Sequence, residues 1–436
     1  MLKSSYGISE LRSRKTLTAV ILVANAFIWY YVVFSFLQGR VSPVLSVSSV
    51  TIWGFHFSGL IISALVGTLI AKRIEQDKLL IVWMTVGVIS SLALFAANTS
   101  NVILLSLIGL LLGISLGFGM PTCMNRFSDN VSVENRGRTS AMIMVASGIG
   151  IFAFTIVSIS SVIILGVVLA AWRIASLAIF LSVKSSVETV PKSKIVSYKE
   201  ILNQQSFILY FVPWTMFCLV DYLVSPLYSI SISGNLTIIQ TVFMGVFAVL
   251  GGFFLDSFGR RFVAIFGFIV LGIGSAFLGI STTNTAILYF NAIVDGIAWG
   301  FLLVLFMATI WGDLSYISRS DIFYAIGVSP FFISAFLGLT VGPYILSTLK
   351  NSALFSFGAF FLFLAVLPLL YAPETLYEKT IRARELKDYL AKAQKLAHQA
   401  TGKNNQEEIE KAEDADEEAQ ESPVDEEARK LAEKYY

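Results

Sequence analysis

Cysteine and histidine are scarce in this chain of 436 residues. It contains two of each, and they are Cys123, Cys218, His56 and His398. Both cysteines lie within apolar runs and the histidines are far apart in sequence, so the pattern excludes a disulfide framework and a metal-binding cluster. We therefore expect neither a bound metal nor another cofactor.

Charged residues are also few. They make up 14% of the sequence, against 56% for hydrophobic residues, and the mean hydropathy is +0.76. A soluble core of this size could not bury so many apolar side chains, whereas a lipid bilayer solvates them. The composition therefore predicts a membrane protein.

Signatures of catalysis are missing as well. The glycine pairs Gly117/Gly119 and Gly148/Gly150 lie inside apolar segments, with no strand or phosphate-binding loop around them. No Ser, His and Asp set occurs in a plausible context, and the chain lacks a cytosolic ATPase domain. We expect the protein not to be an enzyme and to have no nucleic-acid partner.

Apolar segments of membrane-spanning length, about 20 residues, are abundant. Twelve can be drawn, at residues 17–38, 44–71, 79–97, 102–124, 139–158, 161–183, 207–230, 236–255, 262–281, 286–311, 322–349 and 354–371. Dense glycine and serine within them suit close helix packing in lipid. The sequence predicts an all-α membrane protein with twelve transmembrane helices.

Basic residues collect on one side of these spans. The N-terminus and alternate connections contain Lys3, Arg12, Arg14, Lys15, Lys72, Arg73, Lys78, Arg126, Arg136, Arg138, Lys184, Lys192, Lys194, Lys199, Arg260, Arg261 and Arg319. The opposite connections contain only Arg40 and Lys350. By the positive-inside rule, both termini are cytoplasmic, and we expect a multi-pass protein of the plasma membrane.

The spans divide into two halves that repeat each other. We predict a cytoplasmic N-terminus (1–16), a six-helix bundle (17–183), a cytoplasmic linker (184–206), a second six-helix bundle (207–371) and a cytoplasmic end (372–436). Span four is followed by Asp129 and Arg136, and span ten by Asp313 and Arg319. Such internal repeats are typical of transporter folds, so the two bundles should be pseudo-symmetric.

One loop contains the most specific motif of the sequence. Gly252 and Asp256 are four residues apart at the end of span eight, and Gly259-Arg260-Arg261 follows directly. This pattern resembles the signature loop of the major facilitator superfamily, and Pro373-Glu374-Thr375 resembles the end of its sugar-porter and organic-ion branches. The first half departs from the pattern, because Ala71 stands where an aspartate is expected.

The resemblance implies two bundles that rock about a central solute site. It also implies that Asp256 meets the start of span five, where a helix N-terminus is partly positive. The implied conformational latch closes the cytoplasmic side and comprises Asp256, Gly259, Arg260, Arg261, Arg136 and Arg138. A positive-inside anchor is the alternative role for the arginines.

Ionisable residues within spans are the main candidates for chemistry, because a charge in the bilayer is costly. Asp221 lies in span seven and Asp295 in span ten. In the fold resembled, spans one, four, seven and ten line the central cavity, so we expect both carboxyls to face it. They are candidates for binding a proton or a cationic solute. The alternative for Asp295 is a hydrogen bond to Asn291.

Three further residues are solute or proton candidates. His56 in span two could relay protons or could be a packing residue. Asn25 and Trp29 share one face of span one and could bind a flat or sugar-like solute. Arg173 either lies in mid-membrane, as a partner for an anion or carboxylate, or opens span six at the outer surface; a surface or helix-packing role is the favoured interpretation.

The C-terminal end changes character. An amphipathic helix is predicted at about 375–398, and from Thr401 onward there are 13 acidic and 5 basic residues. The helix should lie against the inner membrane face, or else bind a partner, and the acidic tail should be disordered or transiently helical.

The combined prediction is a secondary transporter that takes up a small organic solute, such as a sugar, organic acid or organic ion, by proton-coupled alternating access. Its partners would be membrane lipid, the solute and protons. Drug or metabolite efflux by the same fold is one alternative. A transporter-like sensor or scaffold is the other.

Overall fold

The fold is that of a computed structural model, which describes residues 13–41, 46–97, 101–157, 161–183, 196–231, 234–315, 318–348 and 350–376. The chain divides into two compact units, Met1–Glu378 and Lys379–Tyr436. The predicted C-terminal helix beyond residue 376, the acidic tail and most of the linker lie outside the described residues.

The described residues form helices and contain no strand. The α-helices are α1 (Arg14–Arg40), α2 (Val47–Ile70), α3 (Gln76–Ala93), α4 (Val102–Gly117), α5 (Met120–Asn130), α6 (Arg136–Val157), α7 (Val162–Val183), α8 (Tyr198–Leu202), α9 (Gln205–Ser231), α10 (Gly234–Phe258), α11 (Arg260–Ile280), α12 (Thr285–Leu303), α13 (Ile310–Leu314), α14 (Asp321–Gly327), α15 (Ser329–Thr340), α16 (Gly342–Thr348), α17 (Asn351–Leu364) and α18 (Val366–Tyr371). Short 3₁₀ turns (Leu94–Ala97 and Val133–Asn135) and a π-helical segment (Val304–Thr309) continue some of them.

Eleven helical stretches in the described part of the chain are long and apolar enough to cross a membrane. Each matches one of the predicted spans, and the twelfth predicted span coincides with α9, a helix of 27 residues. The prediction of an all-α, multi-pass membrane protein is therefore confirmed.

Local sequence explains where two of these helices begin. The side chain of Asn101 accepts hydrogen bonds from the backbone N–H groups of Ile103 and Leu104, at the start of α4. The side chain of Asn284 does the same for Ala286 and Ile287, at the start of α12. An asparagine N-cap satisfies N–H groups that lack partners in the first turn. The same capping device thus begins span four and span ten.

Glycine rows hold the equivalent helix pairs together. On α4, a Cβ added to Gly113 would overlap the carbonyl oxygen of His56 on α2. On α12, a Cβ added to Gly300 would lie 2.7 Å from the carbonyl oxygen of Met244 on α10. Small residues allow this close backbone approach in lipid, where packing drives helix association. The two halves use the same packing solution.

Residues from before and after the linker meet at one end of α6 and α10. A Cβ on Gly137 or on Gly252 would lie 2.7 Å from the other glycine's carbonyl oxygen. Farther along, Phe152 on α6 and Val242 on α10 are 65% and 55% exposed. The backbones of the two helices are in contact at the end that carries Gly137 and Gly252.

Candidate functional site

Asp256 caps a helix of the other half. Its fully buried carboxylate accepts hydrogen bonds from the backbone N–H groups of Gly137 (2.8 Å) and Arg138 (2.9 Å), at the start of α6. These N–H groups have no partner within their own helix, and the helix dipole makes this end partly positive. The arrangement is therefore a direct hydrogen-bonded contact between α10 and α6.

A second aspartate, Asp313, completes a buried charge network. Arg260 donates to Asp313 at 2.7 Å through Nε and to Asp256 at 3.2 Å through Nη1. Arg136 forms an ion pair with the other oxygen of Asp313. Arg136 and Arg260 come from opposite sides of the linker, so Asp313 binds both halves. We call Asp256, Arg260, Asp313 and Arg136 the buried charge network.

Glu374 holds the loop that presents Arg260. Its carboxylate accepts hydrogen bonds from the backbone N–H groups of Arg260 (2.8 Å) and Arg261 (3.0 Å), at the start of α11. The preceding residue, Gly259, has φ of 99°, and a Cβ there would overlap the Glu374 carboxylate. Only glycine fits both the conformation and the space. Gly259 thus shapes the loop, and Glu374 fixes it.

The remaining predicted latch arginines are peripheral to the network. Arg138 lies 3.8 Å from the Asp256 carboxylate and its guanidinium stacks over the Phe253 ring at 4.9 Å. Among the described residues, the Arg261 side chain donates one hydrogen bond, a long one of 3.4 Å, to the Ala372 carbonyl oxygen. Sequence reasoning did not include Asp313 and Glu374 in the latch. Asp313 stood out only as a repeat of Asp129, and Glu374 only as part of Pro373-Glu374-Thr375.

A second contact joins the halves near the first-half loop. Arg319 donates to the carbonyl oxygen of Ala71 and, at 2.8 Å, to Asp321. The side chain of Asn125 accepts from the backbone N–H (2.8 Å) and hydroxyl (2.9 Å) of Ser320. A backbone carbonyl oxygen thus accepts the arginine at the position where the resemblance led us to expect an aspartate carboxylate.

The short helix α8 attaches to the same end of the molecule. The Tyr198 hydroxyl donates to the Leu65 carbonyl at 2.7 Å and contacts the Thr68 hydroxyl. Partial burial raises the pKa of Tyr198, so the phenol remains a neutral donor near pH 7. The described end of the linker is therefore anchored to α2.

Asp221 and Asp295 line one small cavity, of about 10 Å³, among α9, α11, α12 and α17. Trp299 donates to Asp221 at 3.3 Å, and Gln240 donates to the Oδ2 atom of Asp295. The Oδ1 atom of Asp295 is buried and has no hydrogen-bond partner within the described structure. Nor does a hydrogen bond to Asn291 appear there, so that alternative for Asp295 is not supported.

The position of this pair differs from the expectation. The two carboxyls do not line the cavity between the halves but a separate one among second-half helices. Helices α9 and α12 turn these side chains toward α11 and α17. No lysine or arginine is among the described residues that line this small cavity.

A larger cavity, of about 90 Å³, lies between residues of the two halves. We call it the central cavity. Its first-half wall comes from α1, α2, α4 and α5, and its second-half wall from the π-helical segment, α14 and α15. Its walls include Met120, Met124, Met307, Phe331 and Phe332. This is the place where a solute could contact both halves at once.

His56 reaches this cavity only through Tyr30. The Nδ1 atom of His56 lies 2.9 Å from the Gly109 carbonyl oxygen, so it must be the protonated nitrogen of the neutral ring. The other nitrogen, Nε2, then accepts from the Tyr30 hydroxyl at 3.4 Å. Tyr30 lines the cavity and His56 does not. Tyr30 is not among the candidates named from the sequence.

Asn25 and Trp29 point away from the central cavity. Asn25 donates to the Trp172 carbonyl at 2.9 Å, and Trp29 donates to the Ser91 hydroxyl at 2.8 Å. Arg173 is buried midway along α7, and its guanidinium lies over the Trp83 ring at 4.4 Å. The three candidates therefore join α1 to α3 and α7 within the first half.

The structure thus separates the candidates into a buried charge network, a carboxyl pair, a central cavity and a packing cluster within the first half. A scan against protein-family models and a search of curated proteins gave no match to this sequence. Its function has to be inferred from the geometry.

Proposed function

We propose that this protein is a secondary transporter with twelve transmembrane helices in two six-helix bundles, working by alternating access. The observation that favours this most is the central cavity, which lies between two halves whose matching helices share caps and glycine rows. A cavity at the boundary of two repeats is the usual place for a transported solute. Membership of the major facilitator superfamily is part of the proposal.

The buried charge network acts as the latch of this transporter. Moving α6 away from α10 and α13 would break the hydrogen bonds of Asp256 to two backbone N–H groups and the ion pair between Asp313 and Arg136. Removing one partner of a buried ion pair costs about 3–5 kcal/mol, so the contact holds this end closed until something offsets that cost. Bound solute and proton supply the difference in free energy between the two states.

The orientation follows from the distribution of basic residues. Both termini and the latch lie on the cytoplasmic side of the plasma membrane, by the positive-inside rule. The described conformation is then closed toward the cytoplasm. This is the state expected before solute is released into the cell.

Asp221 and Asp295 are the proposed proton carriers, although they lie away from the central cavity. Packed aromatic rings connect the two places: Trp299 donates to Asp221, and its ring lies 4.8 Å from Phe217, which is 5.3 Å from Trp214. Trp214 in turn lies 6.4 Å from Phe331, which lines the central cavity. Protonation of the pair could thus change the shape of the solute site by moving these rings.

Proton-coupled uptake is the first candidate function and export by the same fold is the second. The apolar lining of the central cavity favours export, because exported drugs and metabolites are commonly apolar. Within the described residues, nothing favours the sensor or scaffold, whose expected signalling segment lies beyond residue 376.

The test is transport by protein in sealed proteoliposomes across an imposed pH gradient. A fluorescent pH indicator inside the vesicles reports solute-dependent proton movement. The control protein is the double variant that combines Asp221→Asn with Asp295→Asn. Proton movement that requires both solute and the two carboxyls supports the proposal. Binding of solutes without any coupled proton movement would support the sensor instead.

A further inference from the structure

We infer that the solute is neutral and apolar, with a single aromatic or similarly flat ring. This inference rests on the proposed function, because it assigns the solute class of the central cavity. It replaces the sugars, organic acids and organic ions that the sequence analysis gave as examples of the solute. The lining residues and their hydrogen bonds are the basis.

The cavity offers no counter-charge. Among the described residues that line it there is no lysine, arginine, histidine, aspartate or glutamate. Moving an ionised group from water into an apolar site without a partner costs several kcal/mol. A carboxylate or an ammonium group on the solute would therefore be rejected.

The cavity also offers few hydrogen bonds. Its hydroxyl groups are those of Tyr30, Tyr324 and Ser329. Tyr324 donates to the Ala308 carbonyl at 2.6 Å, and Ser329 donates to the Ile326 carbonyl at 2.7 Å. Each has used its one proton. A sugar would bury several hydroxyls without donors to meet them, at about 1–3 kcal/mol for each unsatisfied group.

The rest of the lining suits a flat apolar solute. Three methionine side chains are flexible and polarizable, and they make favourable contacts with aromatic rings. Phe332 meets Tyr30 edge-on at 5.8 Å and Phe331 at 5.5 Å, which leaves ring faces and edges available to a third ring. Tyr30 donates its proton to His56, so all three hydroxyl groups of the cavity can only accept a hydrogen bond from the solute.

The cavity volume limits the size of the solute. At about 90 Å³ it is smaller than an engineered apolar cavity of about 150 Å³ that binds benzene. The closed cavity is therefore too small for more than a single ring, and even one ring requires the methionine side chains to move. A larger solute would require the halves to separate.

The experiment compares four probes on the full-length protein in lipid nanodiscs by saturation-transfer NMR. The probes are benzyl alcohol, benzylammonium, benzoate and glucose, and empty nanodiscs correct for partition into lipid. Benzyl alcohol should bind at least tenfold more tightly than the other three. Preferential binding of an ion or of glucose, or binding of none of the four, would overturn the inference.

Two variants locate the binding. Ala64→Leu adds volume at the cavity wall and should weaken benzyl alcohol binding at least tenfold, whereas Ile62→Leu, at an exposed position on the same helix, should not change it. Met307→Glu introduces the missing counter-charge and should create binding of benzylammonium. Equal binding of benzyl alcohol by the Ala64→Leu and Ile62→Leu variants would place the site elsewhere.

Failure of this inference and failure of the proposed function give different results. Proton-driven transport of a sugar or an ion would refute the solute class and leave the transporter intact. Benzyl alcohol binding without any solute-dependent proton movement would refute the transporter and leave the solute class intact.

Discussion

Asp256 and Asp295 are both buried aspartates of the second half, but their surroundings are opposite. Asp256 receives two backbone N–H groups and the Arg260 guanidinium. Asp295 receives one amide from Gln240, shares a small cavity with Asp221, and leaves one oxygen without a partner in the described structure. Identical side chains have different roles in different surroundings. Asp256 should therefore stabilise the structure, and Asp295 should exchange a proton.

Removing a cation from the charge network should have the largest effect on stability. Arg260→Met leaves Asp256 and Asp313 buried with fewer partners, so we expect a loss of about 3–5 kcal/mol. The matched control is Arg261→Met, because the Arg261 side chain makes one long hydrogen bond within the described structure. This substitution should change stability by no more than about 0.5 kcal/mol. Denaturant unfolding in mixed micelles measures the stability of both variants. Equal losses of stability would show that the buried charge network contributes no more than a peripheral arginine does.

Neutralising Asp256 should have an intermediate effect. Asp256→Asn keeps the size of the side chain but weakens its bonds to Gly137 and Arg260, at about 1–3 kcal/mol. Turnover should fall more than solute binding, because the change acts on the two states and not on the central cavity. Parallel measurements of binding and transport decide this, and equal losses of both would contradict a latch role.

Neutralising Asp295 should hardly affect stability. Asp295→Asn removes a carboxyl that has one hydrogen-bond partner among the described residues, so we expect a loss of less than about 1 kcal/mol. We expect the same for Asp221→Asn. Both variants should lose accumulation driven by a proton gradient and retain solute exchange at equal concentrations. If either variant still concentrates solute with normal pH dependence, that carboxyl is structural.

Adding a charge to the first-half loop should give the smallest effect. Ala71→Asp places a carboxylate near Arg319, which already donates to the Ala71 carbonyl. Ala71 is buried and Arg319 is partly exposed, so the cost of burying the new carboxylate offsets part of the attraction. The net gain should not exceed about 1 kcal/mol, and it should favour the conformation closed at the latch end. Cysteine accessibility on the two faces of the cavity reports the shift, and Ala71→Asn serves as the uncharged control.

The spans and the charged loop could be predicted from the sequence, because hydropathy fixes helix positions and the Gly252–Asp256 spacing fixes the loop. The glycine rows were visible too, and the structure uses them as packing surfaces. Each of these signals is local in the chain. They required no knowledge of how a helix is rotated.

Side-chain direction could not be predicted. Asp221, Asp295, Asn25 and Trp29 all point away from the central cavity, toward neighbours within their own half. A membrane helix is apolar on its lipid face and on much of its packed face, so hydropathy does not determine its rotation. Partners distant in sequence were missed for a related reason, since only the fold brings Glu374 to the loop that presents Arg260.

The central claim is that the latch end and the opposite end open alternately. Spin labels test it on protein whose buried Cys123 and Cys218 are replaced by alanine. One label pair, at Lys78 and Phe258, spans the latch end, and the other, at Phe152 and Val242, spans the opposite end. Their side chains are exposed and lie on different halves.

Distance distributions from electron paramagnetic resonance should be compared between the labelled protein and its Asp256→Asn variant. We expect the variant to lengthen the Lys78–Phe258 distance and shorten the Phe152–Val242 distance. Unchanged distances, or lengthening at both ends, would contradict alternating access controlled by this network.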